Sequence, residues 1–211
     1  ARAEGVPVYP QVAARSFGML VGHQSRMNPF RARPSYAPLA DLPLAERVVR
    51  LRDPELRRRI LSETPIPSAR PSISTSPPRD LFEHLFVLGD PPDYEPEPHT
   101  SIAARARARG IAPEALAYDL MLEADGRELL VYPLLNYGGG SYDALYEMMT
   151  DPASIQGLGD GGAHCAVVCD ASMTTYLLAH WVRDRTRGPR LTLEHAVRRL
   201  TSEPAVLYQL A

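Results

Sequence analysis

The run Gly157-Leu158-Gly159-Asp160-Gly161-Gly162-Ala163-His164, followed by Cys165 and then Cys169-Asp170-Ala171-Ser172, holds the residue types a reactive site needs. Its glycines let the main chain take positive φ and approach a ligand closely. Asp160 among them can ligate a divalent cation or accept a proton from an activated water. The competing role for a loop aspartate is to close an Asx-turn or cap a helix. His164 can polarise a carbonyl or hold a substrate carboxylate. With Cys165 and Cys169 it offers the imidazole and thiolate donors that zinc prefers. A lone Cys-x3-Cys without a second pair, however, fits small, packed apolar side chains better.

Other chemistries find less support. No Gly-x-Ser-x-Gly elbow presents a nucleophile. The glycine run completes neither a phosphate loop nor a dinucleotide fingerprint. All 23 basic residues are arginine, so neither a Schiff base nor a carbamylated-lysine bridge can form within this stretch. Asp160 and Asp170 could serve as the paired carboxylates of a glycosidase. The single Trp181, set inside a helix, argues against the aromatic sugar platforms such an enzyme uses. His23, His84 and His99 are scattered without metal-pair spacing, while His180 and His195 sit within helices as structural residues.

The elements that must carry these residues alternate. A strand is expected over Val6 to Ala13, weakened by Pro7 and Pro10, delivering Gln11, Arg15 and Ser16 to its carboxyl end. An irregular stretch from Gly18 to Ala40 leads into helices with Leu44, Val48 and Leu51, then Leu56, Ile60 and Leu61, on their apolar faces, the second capped by Asp53. Arg57, Arg58 and Arg59 read as a solvated face. A Pro- and Ser-rich loop spans Thr64 to Asp80, a strand Leu81 to Leu88, and an acidic turn Asp90 to Pro98. The length of these connections hints at a lid or substrate loop.

Helices follow at Ser101 to Arg109 and Pro113 to Ala124, the second closed by Gly126. Leu129 to Leu135 is a continuously apolar, buried strand ending in Asn136-Tyr137-Gly138-Gly139-Gly140. Ser141 caps a helix through Met149. The short run Ser154 to Leu158 enters the glycine-rich elbow, and a helix from about Met173 to Arg187 leaves it, with Met173, Tyr176, Leu177, His180 and Trp181 on one face. Thr192 caps the last helix, with Val197, Leu200 and Leu207 as core candidates. Strands separated by helices, without hairpin alternation, predict an α/β fold with a parallel sheet, whose polar groups gather at strand carboxyl ends.

A chain of 211 residues, 45% hydrophobic and 23% charged, can bury one sizeable core. A net charge of −2 gives no electrostatic case for nucleic acid or an anionic membrane. No apolar run reaches the roughly 18 residues a bilayer span needs. Two cysteines make no disulfide framework, and a reducing cytoplasm is the expected compartment. The chain starts without Met and stops just after a helix, which reads as an internal piece of a longer protein. Its oligomeric state is left open.

Gly-Leu-Gly-Asp-Gly-Gly-Ala-His (157–164), Cys-Asp-Ala-Ser (169–172), Thr-Tyr-Leu-Leu-Ala-His-Trp-Val-Arg-Asp-Arg (175–185) and Leu-Glu-His-Ala-Val-Arg-Arg-Leu-Thr-Ser-Glu-Pro-Ala (193–205) together resemble the amidohydrolase superfamily, in its N-acyl-D-amino-acid deacylase branch. Pro133 to Tyr137 and Tyr9 to Arg15 fit the same branch. The resemblance implies a partial (β/α)8 TIM-like barrel, residues 1–211 forming one partial barrel domain of C-terminal strands and helices, with a loop and helical insertion at about 18–98. It implies a zinc-dependent hydrolase acting on a small N-acyl amino-acid-like substrate. Asp160 would bind or face the zinc and shuttle the proton from water to the leaving amine. By their positions at strand ends, rather than by the resemblance, Arg15 could pair a substrate carboxylate, while Asn136, Tyr137 and His164 could orient the amide. The branch's His-x-His pair, its middle-strand metal ligands and its small β-domain are absent from 1–211 and are expected outside it. By this resemblance the piece alone should neither bind zinc tightly nor hydrolyse an amide. The alternative is a barrel scaffold that has lost catalysis.

Overall fold

A computed structural model describes residues 5, 6, 8–67, 70, 76–158 and 172–210. Asp160, His164, Cys165, Cys169 and Asp170 lie outside the described residues. In chain order the elements are β1 (Gln11–Val12), β2 (Phe17–Val21), α1 (Leu44–Leu51), α2 (Pro54–Ser62), β3 (Phe86–Val87), α3 (Ile102–Arg109), α4 (Pro113–Met121), the single turn α5 (Glu123–Gly126), β4 (Leu130–Leu135), α6 (Asp143–Thr150), β5 (Ile155–Gln156), α7 (Met173–Tyr176), a π-helical stretch Leu177–Asp184, α8 (Leu193–Leu200) and α9 (Ser202–Leu207). The fold is mixed α/β with small sheets. Among the described residues no helix is long and apolar enough to cross a membrane.

The chain divides into two compact units. One takes Gly18–Pro133 and so includes the stretch expected as an insertion. It has its own core of Val21, Phe30, Leu51, Ile60, Ile102, Leu116 and Leu130, all nearly or wholly removed from water. Local sequence builds its helices as expected. The Asp53 carboxylate accepts from the Glu55 and Leu56 amides at 2.8 and 3.0 Å, satisfying two N–H groups that the first turn of α2 leaves free. Ser101 does the same for α3 through the Ala104 amide, and Gly110 ends that helix at φ 65°. Of the three arginines read as solvated, Arg57 instead grips Asp119 with two bonds of 2.7 and 2.8 Å.

The strand expected over Leu81 to Leu88 is a 3-10 turn at Leu81–Glu83 followed by two strand residues. In the sheet ordered β2-β4-β3, β3 pairs antiparallel with β4, Phe86 opposite Val131 and Val87 opposite Leu130. A wholly parallel sheet is therefore not what forms. A single crossover helix would bring the chain back parallel. Here two helices packed on each other, α3 and α4, lie between the strands, and β4 enters antiparallel to β3.

The other unit comprises the described residues of 5–17, 134–158 and 172–210. The strand expected over Val6 to Ala13 shrinks to Gln11–Val12, and Val6, Val8 and Tyr9 are exposed. Pro10 contributes no N–H to a ladder there. β4 runs from buried Leu130 and Val131 to Leu134 and Leu135, which are 47% and 54% exposed, so the run is not buried throughout. Pro133 removes one donor just before that change.

Tyr142, not Ser141, holds the N-cap position of α6, although the Ser141 hydroxyl still accepts from the Asp143 amide at 3.3 Å. The helix after the elbow buries Met173, Leu177 and Trp181 as its spacing predicts. From Leu177 it widens into a π-helix that ends with the Arg185 amide donating five residues back to the His180 carbonyl at 2.7 Å. The final helix breaks at Thr201 (φ −127°, ψ −83°), separating α8 from α9. Val197 is left 43% exposed rather than in the core.

Candidate functional site

β1 and β5 are parallel neighbours although 144 residues separate them, Gln11 opposite Ile155 and Val12 opposite Gln156. Parallel strands release the chain at the same end of their sheet. After β1 comes the turn Ala13–Ser16, and after β5 comes Gly157-Leu158, the entry to the glycine-rich run. The junction is tight: the Gly157 amide donates to the Val12 carbonyl at 3.0 Å, as does the Gln156 side-chain amide at 2.8 Å. A Cβ on Gly157 would sit 2.6 Å from Gln11 Cβ, so only glycine fits.

Asn136 directly after β4 has φ 64°, and Leu158 two residues after β5 has φ 61°. Left-handed backbone is tolerable for asparagine but strained for leucine. Such residues gather where function holds a backbone in an unfavourable state. Both line one cavity of about 300 Å³, together with Gln11, Phe17, Met148 and Gly157. Its described wall is mainly apolar, with the amides of Gln11 and Asn136 as polar groups and no charged side chain among the described residues. Such a pocket can enclose a neutral group and orient it through an amide.

The residues expected to form the site are placed as follows. Asn136 lines the cavity, and its Nδ2 donates to the Arg15 carbonyl at 3.4 Å. Arg15 is fully buried, with Nη1 donating to the Ser16 carbonyl at 2.8 Å, and its side chain does not line the cavity. Tyr137 is buried and donates through its hydroxyl to the Gly140 carbonyl at 3.1 Å. Arg187 donates to that hydroxyl at 3.2 Å and to the same carbonyl at 2.8 Å, closing the turn after β4. Tyr137 thus braces the turn that presents Asn136. Among the described residues no group of three or more His, Cys, Asp or Glu side chains converges, so they do not supply a zinc donor set.

Three residues outside the expected set hold the site in place. Trp181 Nε1 donates to the Ala14 carbonyl at 2.5 Å. The Tyr142 hydroxyl accepts from the Ser16 amide at 2.9 Å and donates to Ser16 Oγ at 3.0 Å. Arg185 packs its guanidinium over the Trp181 ring at 4.5 Å and donates to the Pro189 carbonyl at 2.6 Å. π-helical widening is frequent at functional sites, and here it is the segment that carries Trp181. No sequence spacing links Tyr142 or Trp181 to residues 14–16. The only available signal was a tyrosine beside the expected cap and an aromatic on a buried helix face.

Comparison with known proteins finds no matching family model, no matching curated sequence and no matching solved structure.

Proposed function

We propose that this chain is part of a metal-dependent amidohydrolase that cleaves the amide of N-acyl-D-amino acids or related N-acyl compounds, built on a partial (β/α)8 barrel and working in the cytoplasm. The observation that carries the reading is the shared cavity. Two left-handed residues from different strand ends, Asn136 and Leu158, line it beside the end at which β1 and β5 finish, and Asp160 follows Leu158 by two residues in the sequence. The residue pattern from Gly157 to His164 and from Thr175 to Arg185 supports the same reading.

Amide hydrolysis needs a water made nucleophilic, a polarised carbonyl and a proton for the leaving nitrogen. Asp160 takes the proton of the attacking water on its carboxylate and returns it to the amine as the C–N bond breaks. Asn136, anchored at Nδ2, orients the substrate amide within the cavity. His164 assists at the carbonyl and Tyr137 stiffens the turn; Arg15, expected to pair a substrate carboxylate, is buried away from the cavity and takes no such part. Zinc would supply the charge that activates the water. The described residues do not supply its donor set.

The test uses the full-length protein. Zinc content and hydrolysis of N-acyl-D-amino acids are measured alongside Asp160→Asn. Bound metal with activity abolished by Asp160→Asn is the expected result. Neither metal nor hydrolysis in the wild type would leave an inactive barrel scaffold with Asp160 as a turn residue.

A further inference from the structure

We infer that Tyr142 is a positioning residue of the candidate site, holding Ser16 and, through the Arg15 peptide, the Asn136 amide. The inference rests on the hydrolase reading for its catalytic consequence and on geometry for its mechanism. Three consecutive residues after β1 each take a side-chain partner from a distant element. The Ala14 carbonyl is held by Trp181, the Arg15 carbonyl by Asn136, and the Ser16 amide by Tyr142. Buried main-chain groups must be paired. Here the pairing is done by side chains rather than by a sheet ladder, so the turn has the geometry those side chains impose.

Tyr142 is suited to this. Its ring is stacked on Trp181 with centroids 5.6 Å apart and meets Tyr137 edge-on at 5.7 Å. The same residue therefore touches the side chain that holds Ala14 and the one that closes the turn carrying Asn136. Its hydroxyl uses both its functions on Ser16, accepting from the amide and donating to Oγ. Rotation of the Ser16 peptide would swing the Arg15 carbonyl, and with it the anchor that fixes which way the Asn136 amide faces the cavity. A group that orients a substrate amide loses its effect after a displacement of about 1 Å.

Tyr142→Phe removes the hydroxyl and keeps the stacked ring, so the variant retains its fold. In the full-length protein, Tyr142→Phe, Asn136→Ala and the double variant are compared by kcat/KM on an N-acyl-D-amino acid. Amide exchange at Ser16 and over 135–138 is followed by hydrogen–deuterium exchange. Each single change is expected to lower kcat/KM about tenfold, and the double variant to be no worse than the poorer single one, because coupled residues are non-additive. Exchange at Ser16 and at Asn136 should rise together in Tyr142→Phe. A purely structural tyrosine gives multiplicative losses and unchanged exchange at Asn136, and either result overturns the inference. If the wild type hydrolyses no N-acyl amino acid, the hydrolase reading falls, and the exchange at Asn136 alone decides whether Tyr142 positions it.

Discussion

The Tyr36 hydroxyl lies 3.0 Å from His23 Nδ1 in the core of the Gly18–Pro133 unit, and the two rings stack with centroids 5.8 Å apart. Asn28 Nδ2 donates to the same hydroxyl at 2.9 Å, and Asn28 Oδ1 accepts from the Phe30 amide at 2.8 Å, which fixes the orientation of the amide. With Asn28 donating to it, the Tyr36 hydroxyl can turn its own proton to Nδ1 of a neutral His23. The ring also meets Tyr118 edge-on at 5.7 Å, and the Arg47 guanidinium donates to the His23 carbonyl at 2.5 Å.

Burial first, and the Arg47 charge second, hold the His23 pKa down at about 4 against a usual 6.5, with the Tyr118 main chain opposing weakly. The unfolded chain therefore takes up a proton before the folded one does. The stability contributed by neutral His23 is complete above pH 6.5, falls as pH drops toward about 4, and is lost below that. At about 1.4 kcal/mol per pH unit, this comes to about 3 kcal/mol across the window. Urea denaturation of the wild type and His23→Asn at pH 7 and pH 4.5 isolates the effect. The gap between the two proteins should narrow at the lower pH, and a gap independent of pH removes the assignment.

Gly18 and Gly22 offer a second, comparative test. A Cβ on Gly18 would lie 2.1 Å from the Tyr132 carbonyl oxygen and 2.9 Å from Pro133 Cα, which are main-chain atoms with no room to retreat. At Gly22 the nearest atom, 2.8 Å away, is the Leu129 Cδ2 methyl, which can rotate. Gly18→Ala should cost about 3 kcal/mol and Gly22→Ala about 1 kcal/mol, in line with overpacking against rigid and yielding neighbours. Equal denaturation midpoints for the two variants would show that β2 lies farther from β4 than the structure has it.

Arg199 is a buried cation with defined partners. It donates to the Ser154 carbonyl at 2.8 Å, to Ser154 Oγ at 2.6 Å and to Glu203 at 2.8 Å. It joins α8 to the residue just before β5. Arg199→Ala strands the Ser154 carbonyl and should cost about 3 kcal/mol in thermal denaturation. Arg199→Lys, which keeps the charge but not the fork, should recover less than half of that. Full recovery by lysine would mean that charge alone matters there.

Much of the scaffold was legible because its signals are local. Asp53 and Thr192 cap helices where the free amides of a first turn require it. Burial of Met173, Leu177 and Trp181 follows from helical spacing alone. What escaped depends on distant partners. Arg47 occupies a position on the same stripe as Leu44, Val48 and Leu51, and its burial rests on the carbonyls of His23 and Leu42. His23 read as a loop histidine because Tyr36, Asn28 and Tyr118 are not its sequence neighbours. The antiparallel β3·β4 pair was missed because helix count between strands, rather than strand pattern, sets direction. That Asn136 stands at a strand end was legible from its place after an apolar run, and it lines the cavity. Arg15 was expected at a strand end as well, but its side chain turns into the interior.

Leu158 gives the last test, because strain and site coincide there. Its φ of 61° brings Cβ close to the following carbonyl, at a cost of about 1–2 kcal/mol for a residue with a side chain. The side chain is 38% exposed, so its removal forfeits only part of a leucine's burial. Glycine at this position removes the steric cost but gives the unfolded chain more freedom, which returns about 0.5–1 kcal/mol to that state. Leu158→Gly should therefore change the denaturation free energy by no more than about 1 kcal/mol, whereas Leu158→Val, branched at Cβ in a left-handed position, should destabilise by about 2 kcal/mol. The same pair separates strain from function. If the chain is a hydrolase as proposed, Leu158→Gly, which loosens the main chain two residues before Asp160, should lower kcat of the full-length protein while leaving its denaturation midpoint nearly fixed. A variant with unchanged kcat would show that the left-handed turn is a feature of the chain's path and plays no part in presenting Asp160.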